Sequence, residues 1–280
     1  MAIPYIANSP IKPAFVSNTG VVTFTDGTNN LIPNQKQCEA YGYTYDKESG
    51  TCKAFTFSQN LNQNLANIDN SLQGSGNITE TGTNNTTIIG ENNTVKGLSR
   101  NNIIAGDNNL ISNSVNNSFV YGRLGESTAE NSIVLGGNAP TDNLGERQSI
   151  HLMFGAQTTD ASVTSSTLNN TTDSYFTIPE NTIMYFHANI VAVRVAGTGA
   201  GSRGDFASYV ERGVVINKSG TVSISREVEA VRSSGTVSGW ATTVSNTGVQ
   251  LLVNVQGATN VTVEWCSDVV LTQIKTGVSL

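Results

Sequence analysis

An asparagine occurs at every eighth position between residues 77 and 117, and a fixed period of this kind is typical of chains built from stacked repeats. The members of this asparagine ladder are Asn77, Asn85, Asn93, Asn101, Asn109 and Asn117, and Asn131 follows after a 14-residue step. Alternate members open a 16-residue unit whose apolar runs, NTTIIG, NNIIAG and NSFVYG, end in glycine, and NSIVLG and a degenerate SIHLMFG follow. Asn tolerates left-handed corners and can hydrogen-bond to a stacked Asn, and Gly supplies positive φ.

Each apolar run of the repeat is too short to bury a face alone, so it must stack on the next turn and pack against other walls. We therefore predict an all-β fold with a β-helix or triangular β-prism shaft over residues 77–155. One chain could wind every wall, or three chains could wrap a shared axis, and the small number of turns favours three chains. A disordered Asn-rich linker is the weaker alternative, because Ile, Val and Leu recur at fixed offsets.

Residues 57–73, just before the repeat, carry apolar residues at the 4, 3, 4 spacing of a heptad seam. The seam consists of Leu61, Leu65, Ile68 and Leu72. Leu at the a positions with Ile at a d position favours trimers or tetramers over dimers. The segment predicts a short trimeric coiled coil, and the alternative is one ordinary amphipathic helix.

Residues 1–56 contain four of the six prolines and only short β-like runs that end in turn residues. This pattern predicts an irregular N-terminal arm that docks on another protein. Cys38 and Cys52 lie within the arm and are candidates for a disulfide, with two free thiols as the alternative. A zinc site normally needs four ligands and no His is nearby, so we predict neither metal nor cofactor.

Beyond the repeat, residues 156–173 are turn-rich and predict a connector, and residues 174–280 predict a separate C-terminal domain. Apolar alternation recurs there in short runs that turn signals such as NKSGT and GATN separate. This spacing predicts an antiparallel β-sandwich of jelly-roll type, with Trp240 and Trp265 in its core. Cys266, in the run VTVEWCSDVVL, is expected to be buried.

Net charge and targeting signals limit the kinds of partner that the sequence allows. The net charge is -6 and Lys and Arg form no cluster, which argues against a nucleic-acid partner. The N-terminus shows no secretory signal pattern and no apolar run reaches the ~20 residues of a membrane span, so no membrane insertion is expected.

Residue patterns that carry catalysis are scarce. Glu91 and Asp107 occupy equivalent positions one repeat apart, and Glu227 and Glu229 share a strand face, but such acids are commonly solvated. His151 and His187, the only two histidines, lie in apolar runs and predict structural roles. From these observations we predict no catalytic residue and a protein that is not an enzyme.

Two families share parts of this pattern. NSFVYG and NSIVLG resemble the repeats of trimeric adhesin heads, although their spacing differs and the adhesins' membrane anchor is lacking. The run from FTIPENTIMYFHANIVAVRV to VTVEWCSDVVLTQI is similar to C-terminal domains of bacteriophage tail fibres. The second resemblance implies a homotrimeric virion protein that is assembled in the host cytoplasm, docks on other virion proteins through residues 1–56, and binds a host-surface glycan or protein.

The expectation for function is therefore a virion fibre or spike whose C-terminal domain contacts the host. The alternatives are a capsid fibre or decoration protein, a glycan-depolymerising spike and a bacterial surface adhesin. Loops near 197–206 and 232–240 are the candidates for receptor contact, with Arg203, Phe206 and Tyr209 as contact residues, because exposed loops on a rigid β domain often carry recognition. The Gly-rich stretch that includes Arg203-Gly204-Asp205 predicts a long hairpin loop.

Overall fold

A computed structural model of the chain describes residues 3–4, 10–17, 20–47, 49–54, 69–137, 141, 143–168 and 171–280. The chain forms two compact units, Met1–Asn64 and Leu65–Leu280. Strands dominate both units, and the described residues contain one short helix, so the predicted all-β class is confirmed. No helix in these described ranges is long and apolar enough to cross a membrane.

The first unit contains a four-stranded sheet, a helix and a hairpin. The sheet order is β1-β4-β3-β2, with bounds Ile3–Pro4 (β1), Lys12–Val16 (β2), Val22–Thr25 (β3) and Asn30–Ile32 (β4). Helix α1 covers Gln35–Ala40, and strands β5 (Thr44–Asp46) and β6 (Thr51–Lys53) form the hairpin. Asn34 caps the helix, since its side chain accepts from the Gln37 amide at 3.0 Å while Gln37 Oε1 accepts from the Asn34 amide at 3.0 Å.

This unit has a small core, which the expectation of an irregular arm did not include. A disulfide joins Cys38 to Cys52, with the two Cα atoms 5.6 Å apart. Both cysteines are buried and pack with Val22, Phe24 and Leu31. The alternating apolar residues of VTFT and the disulfide to α1 together supply the apolar contacts of this core. The high proline content of the segment had suggested that no such core forms. Docking of this segment on another protein stays a prediction.

The second unit begins with a β-solenoid of about four turns. Its first column consists of β7 (Ser71–Gln73), β9 (Thr87–Glu91), β11 (Ile103–Asp107), β13 (Phe119–Arg123) and β15 (Ser132–Gly136). Its second column consists of β8 (Ile78–Thr79), β10 (Thr94–Val95), β12 (Leu110–Ile111) and β14 (Glu126–Ser127). Within each column the strands are parallel, and partners such as Ile88 and Ile104 lie one 16-residue unit apart. A single chain therefore winds the turns of the repeat, and the arrangement of three chains around a shared axis stays a prediction.

The ladder of asparagines divides into two columns with different surroundings. Asn93 Nδ2 donates to Asn77 Oδ1 at 3.1 Å and Asn109 Nδ2 donates to Asn93 Oδ1 at 3.0 Å, and Asn93 and Asn109 are buried. The other column, Asn85, Asn101 and Asn117, is bonded side chain to side chain at 2.9 and 3.1 Å and lies at left-handed corners with φ between 49° and 56°. The eight-residue period thus combines one inner and one outer column, each repeating every 16 residues.

The heptad prediction falls at the start of the solenoid. Leu61, Leu65 and Ile68 lie outside the described residues. Leu72 lies in β7, where its Cα pairs with that of Ile88, so at this residue the chain is already a strand of the first column. A helical seam that extends to Leu72 is therefore wrong, and the coiled coil over the preceding residues stays a prediction.

The rest of the chain extends the first column into a longer sheet. Strands β16 (Arg147–Thr158), β17 (Val163–Leu168), β18 (Phe176–Thr177), β19 (Thr182–Gly197), β20 (Phe206–Lys218), β21 (Thr221–Ser234), β22 (Ala241–Thr247), β23 (Gln250–Gln256) and β24 (Val261–Lys275) follow in chain order. The long sheet runs β21-β20-β19-β24-β16-β15 and on through the solenoid, and β17, β18 and β22 pair with β23 as a smaller sheet. Buried residues of both sheets, including Trp240 and Trp265, form one core. A jelly-roll order of strands stays a prediction.

Strand β16 joins the solenoid to the C-terminal strands. It pairs antiparallel with β15 and, over all of its 12 residues, with β24. The run SIHLMFG is therefore part of this long antiparallel strand and adds no parallel turn to the solenoid. Residues 156–173, for which we expected a connector, contain the end of β16 and all of β17.

Candidate functional site

Two loops meet at one end of the long sheet. The first, residues 198–205, joins β19 to β20, and the second, residues 235–240, joins β21 to β22. Both lie within the segments that the sequence predicted for receptor contact. Two charged side chains shape them: Arg194 near the end of β19 orders the first loop, and Asp205 at the end of the first loop joins it to the second.

Arg194 organises the first loop from the inside. It follows Ile190 and Ala192 on the inward side of β19 and is only 5% exposed. Its guanidinium donates to four backbone carbonyls, at 3.3 Å from Nε to Ala196, 2.6 Å from Nη1 to Ala200, and 2.9 and 3.0 Å from Nη2 to Gly197 and Gly199. These bonds satisfy a buried cation with fixed dipoles, so the loop is ordered without any partner.

Asp205 ties the two loops to each other. Its Oδ2 accepts from the Ser202 amide at 2.8 Å and, across the gap, from the Thr236 amide at 3.1 Å. The backbone hydrogen bonds from Ser202 and Thr236, with a smaller contribution from the Arg194 charge, lower the pKa of Asp205 below its ordinary value. A side chain at Gly235, which has φ +81°, would overlap this carboxylate. Asp205 therefore stays ionised at neutral pH and works as a loop clamp.

An aromatic cluster supports the loops from below. The Tyr209 and Trp265 rings stack with centroids 6.5 Å apart, and Trp240 lies 5.9 Å from Trp265. The Tyr209 hydroxyl donates to the Trp240 carbonyl at 3.1 Å, and burial raises the pKa of Tyr209. The loops thus rest on a rigid base, which is how scaffolds commonly present recognition loops.

The structure separates the three predicted contact residues. Arg203 is exposed in the first loop, and Phe206 begins β20 opposite Val193, partly buried. Tyr209 points toward the core and is occupied by the contacts just described. The carboxylate of Arg203-Gly204-Asp205 is likewise engaged by backbone amides, so Arg203 is the part of this motif that a partner can reach.

Arg194, Asp205 and Thr236 were not among the predicted site residues. A signal for Arg194 existed, because its parity in the alternating run of β19 puts it on the inward side just before a Gly-rich stretch of free carbonyls. No sequence pattern pointed to Thr236, because its amide meets Asp205 only where the loops of two separate hairpins lie side by side.

The other predicted side chains lie away from these loops. Glu91 and Asp107 are direct neighbours in the first solenoid column, where Asp107 Oδ1 accepts from the Glu91 amide at 3.2 Å, and Arg123 follows Asp107 in the same row. Glu227 pairs with Arg212 at 3.6 Å between exposed side chains. His151 and His187 both flank Val270 on the long sheet. In the described part of the chain no three His, Cys, Asp or Glu side chains are grouped to hold a metal ion.

Comparison with known proteins gives only distant similarity. No family model and no curated protein matches the sequence. Among solved structures, the chain is similar to a tailspike protein of Acinetobacter baumannii phage AM24, with TM-score 0.26, 9% identity, 75% of this chain and 50% of that chain covered. It is also similar to a tailspike protein of Acinetobacter baumannii bacteriophage Fri1, a capsular polysaccharide depolymerase, with TM-score 0.26, 11% identity, and 73% and 48% covered. The chain thus spans about half the length of the structures it matches.

These similarities correct one prediction. We expected a protein that is not an enzyme, whereas the Fri1 tailspike is described as a capsular polysaccharide depolymerase, which is an enzyme. The prediction of a non-enzymatic protein is therefore not retained. At this level of similarity no catalytic residue is transferred to the present chain.

Proposed function

We propose that the chain is the subunit of a homotrimeric bacteriophage spike or fibre. Residues 1–56 attach it to other virion proteins, and the C-terminal strands carry the two clamped loops toward the host surface. The resemblance of the C-terminal run to phage tail-fibre domains supports this proposal, and so does the presence of a repeat solenoid. The location follows from the function: the protein is part of the virion.

The observation that carries the proposal is the continuity of one sheet from the solenoid to the loops. Because β16 pairs with β15 on one side and with β24 on the other, the loops sit on an extension of the solenoid wall. A protein that must present loops at a distance needs a stiff support of this kind, and the four carbonyl bonds of Arg194 keep the loops ordered before contact.

Adsorption of phage particles tests the role of the loops. Arg203→Ala should reduce adsorption to host cells at least about tenfold if the exposed guanidinium contributes a charged hydrogen bond. Lys218→Ala, which removes an exposed cation from the opposite end of β20, is the matched control and should adsorb normally. Equal adsorption of both variants would contradict the assignment of the loops.

Labelling of intact particles tests the location. An antibody to residues 174–280 should decorate the ends of tail appendages in electron micrographs. Decoration of the head would favour the capsid fibre or decoration protein instead. Particles assembled with a chain that lacks residues 1–56 should lack this decoration, because the chain no longer attaches.

A second candidate is a glycan-depolymerising spike, and the row of Glu91 and Asp107 favours it. Adjacent strands of a sheet are about 4.8 Å apart, and the two carboxyl groups of retaining glycosidases are about 5–5.5 Å apart. The wild type should release reducing ends from host capsule. Loss of this release in Glu91→Gln and Asp107→Asn, with full release kept in the control Glu229→Gln, would establish this candidate. Absence of release from any host polysaccharide would reject it.

A further inference from the structure

We infer that the outer face of the long sheet, from β9 through β19, is the surface through which copies of this chain meet in the homotrimer. The inference rests on the proposed homotrimer and adds to it which face of the chain is buried. We refer to this surface as the apolar face. It consists of the outward side chains of β9, β11, β13, β15, β16, β24 and β19.

The solenoid part of the apolar face presents mostly large apolar side chains. Its outward positions are Thr87 and Ile89, Ile103 and Ala105, Phe119 and Tyr121, and Ile133 and Leu135. Five of them, Ile89, Ile103, Tyr121, Ile133 and Leu135, are between 42% and 57% exposed, although their strand neighbours Ile88, Ile104, Val120 and Val134 are fully buried. The inner side of this column is therefore buried and the centre of its outer side is apolar, while Glu91, Asp107 and Arg123 form a charged row at the ends of the strands.

Beyond the solenoid the apolar face continues across β16, β24 and β19, where Arg147, Glu264 and Asp268 are charged side chains on the same side. The strand pairing puts Ile133, His151, Val270 and His187 in one row across β15, β16, β24 and β19. Large apolar side chains on the same side of these strands are between 36% and 55% exposed: Met153, Ile274, Ile183, Tyr185, Val191 and Val193. The charged pair Arg212 and Glu227 lies at the β20–β21 edge, in keeping with an apolar centre and a polar rim.

The extent of the apolar face fits a permanent contact. Seven strands at about 4.8 Å spacing, with about five to twelve residues each at about 3.3 Å, cover on the order of 1,000 Å². A stable interface buries about 800 Å² on each partner, whereas the largest apolar patch of an ordinary monomer is about 300–600 Å². An area of this size left in water would favour self-association strongly.

The regular rows of the apolar face point to a second copy as its occupant. Side chains recur once per solenoid turn, at the strand spacing of about 4.8 Å, so only a surface with the same spacing can interdigitate along its full length. Another copy has that spacing. The charged row of Glu91, Asp107 and Arg123 lies at one edge of the wall, so the apolar centre can be buried between copies while these charges stay at the solvent-exposed rim.

Cys266 provides a direct reporter on this face. It is a free, exposed thiol, contrary to the expectation that it is buried, and its Cα pairs with those of Gly155 and Val191. The other two cysteines form the disulfide, so a thiol reagent labels one site in the native chain. Burial of the apolar face between copies should slow this labelling about tenfold or more relative to a single copy.

The experiment combines light scattering with thiol labelling of the full chain. The wild type should have the mass of a trimer and label slowly. Tyr121→Glu and Val191→Glu, which put a charge into the solenoid part and the β19 part of the apolar face, should give single copies that label fast. Val163→Glu, an equally exposed valine on the smaller sheet, is the matched control and should remain a slowly labelled trimer.

The outcomes separate this inference from the proposed function. A trimer in which Cys266 labels as fast as in a single copy, or folded Tyr121→Glu and Val191→Glu variants that remain trimers, would show that the copies meet elsewhere. A wild type that is a single copy would overturn both the homotrimer and the face. Tyr121→Ser and Val191→Ser, which remove apolar area without adding charge, should weaken the trimer in the same direction if the glutamate variants do not fold.

Discussion

The solenoid and the C-terminal strands share one sheet but fix its register by different means. In the solenoid, each turn repeats the previous one, and buried amides such as Asn93 lock the 16-residue step with side-chain hydrogen bonds. In the C-terminal part, long antiparallel pairings such as β19 with β24 set the register along many residues. The first region depends on a few repeated polar contacts. Single substitutions there should therefore lower the free energy of unfolding more than substitutions in the C-terminal strands.

Substitution of a solenoid glycine should have the largest effect on stability. Gly106 has φ +135°, and a Cβ atom there would overlap the carbonyl oxygen of Gly122 in the next turn. Gly106→Ala should lower the free energy of unfolding by about 4 kcal/mol or more, through backbone strain and a displaced turn. Chemical denaturation measures it, with Gly204→Ala as control, since a Cβ at Gly204 meets nothing despite a positive φ. Equal losses of stability in the two variants would mean that the positive φ alone, and not the contact with Gly122, causes the loss.

Removal of a buried ladder amide should come next. Asn93→Ala leaves the Asn109 amide and the Gly106 carbonyl without the partner that Asn93 supplies at 3.0 and 2.6 Å. One buried and one partly buried group without partners predict a loss of about 3 kcal/mol. Asn101→Gly in the exposed column, which keeps the left-handed corner accessible, should cost less than about 1 kcal/mol in the same denaturation experiment, because water replaces the lost bonds. A reversed order would disprove the division into inner and outer columns.

The corresponding change in the C-terminal part concerns Glu211. Its carboxylate is fully buried, accepts from the Thr242 hydroxyl and from the Val244 amide at 2.8 Å, and pairs with Arg226 at 3.4 Å. Glu211→Gln keeps the shape but removes the charge, and should cost about 2 kcal/mol. Glu229→Gln on the exposed strand β21 should cost almost nothing. A loss above that of Asn93→Ala would contradict the greater sensitivity of the solenoid.

The smallest effect should be local and dependent on pH. Since the pKa of Asp205 is lowered in the folded chain, its contribution is complete above the ordinary aspartate pKa, about 3.9, and is lost as pH falls through the lower folded value. Hydrogen exchange should show the Ser202 and Thr236 amides protected from pH 7 down to about pH 5 and exposed only in stronger acid. Asp205→Ala, which removes the acceptor, should expose both amides throughout without a change in global stability. Protection that disappears near neutral pH would contradict the clamp.

The sequence allowed the solenoid to be predicted in more detail than the rest, for a physical reason. The positions of Asn85, Asn101 and Asn117 recur because the same corner recurs, and a repeated contact leaves a period that can be read directly. The pairing of β16 with β24 joins residues that are more than a hundred positions apart and leaves no period. The core of the first unit was missed because it depends on a cross-link and a six-residue helix rather than on a long apolar pattern.

The candidate loops were located by their Gly and Ser content, but their chemistry was not. Arg203 was predicted because it lies in an expected recognition loop, and it is exposed. Tyr209 was predicted by the same reasoning and faces the core, since its place relative to the end of β20 could not be judged without the pairing partner. Asp205 acts through two backbone amides, and backbone donors carry no residue-specific signal in a sequence.

The seam along β16 also determines where this molecule would yield to a pulling force. Tension along the solenoid axis is carried by the hydrogen bonds between successive strands, which run parallel to that axis. The β16–β24 seam spreads the load over twelve residue pairs, whereas the step from β11 to β13 has five and the second column only two. Under such a load the stacked turns would therefore separate before the pairing of β16 with β24.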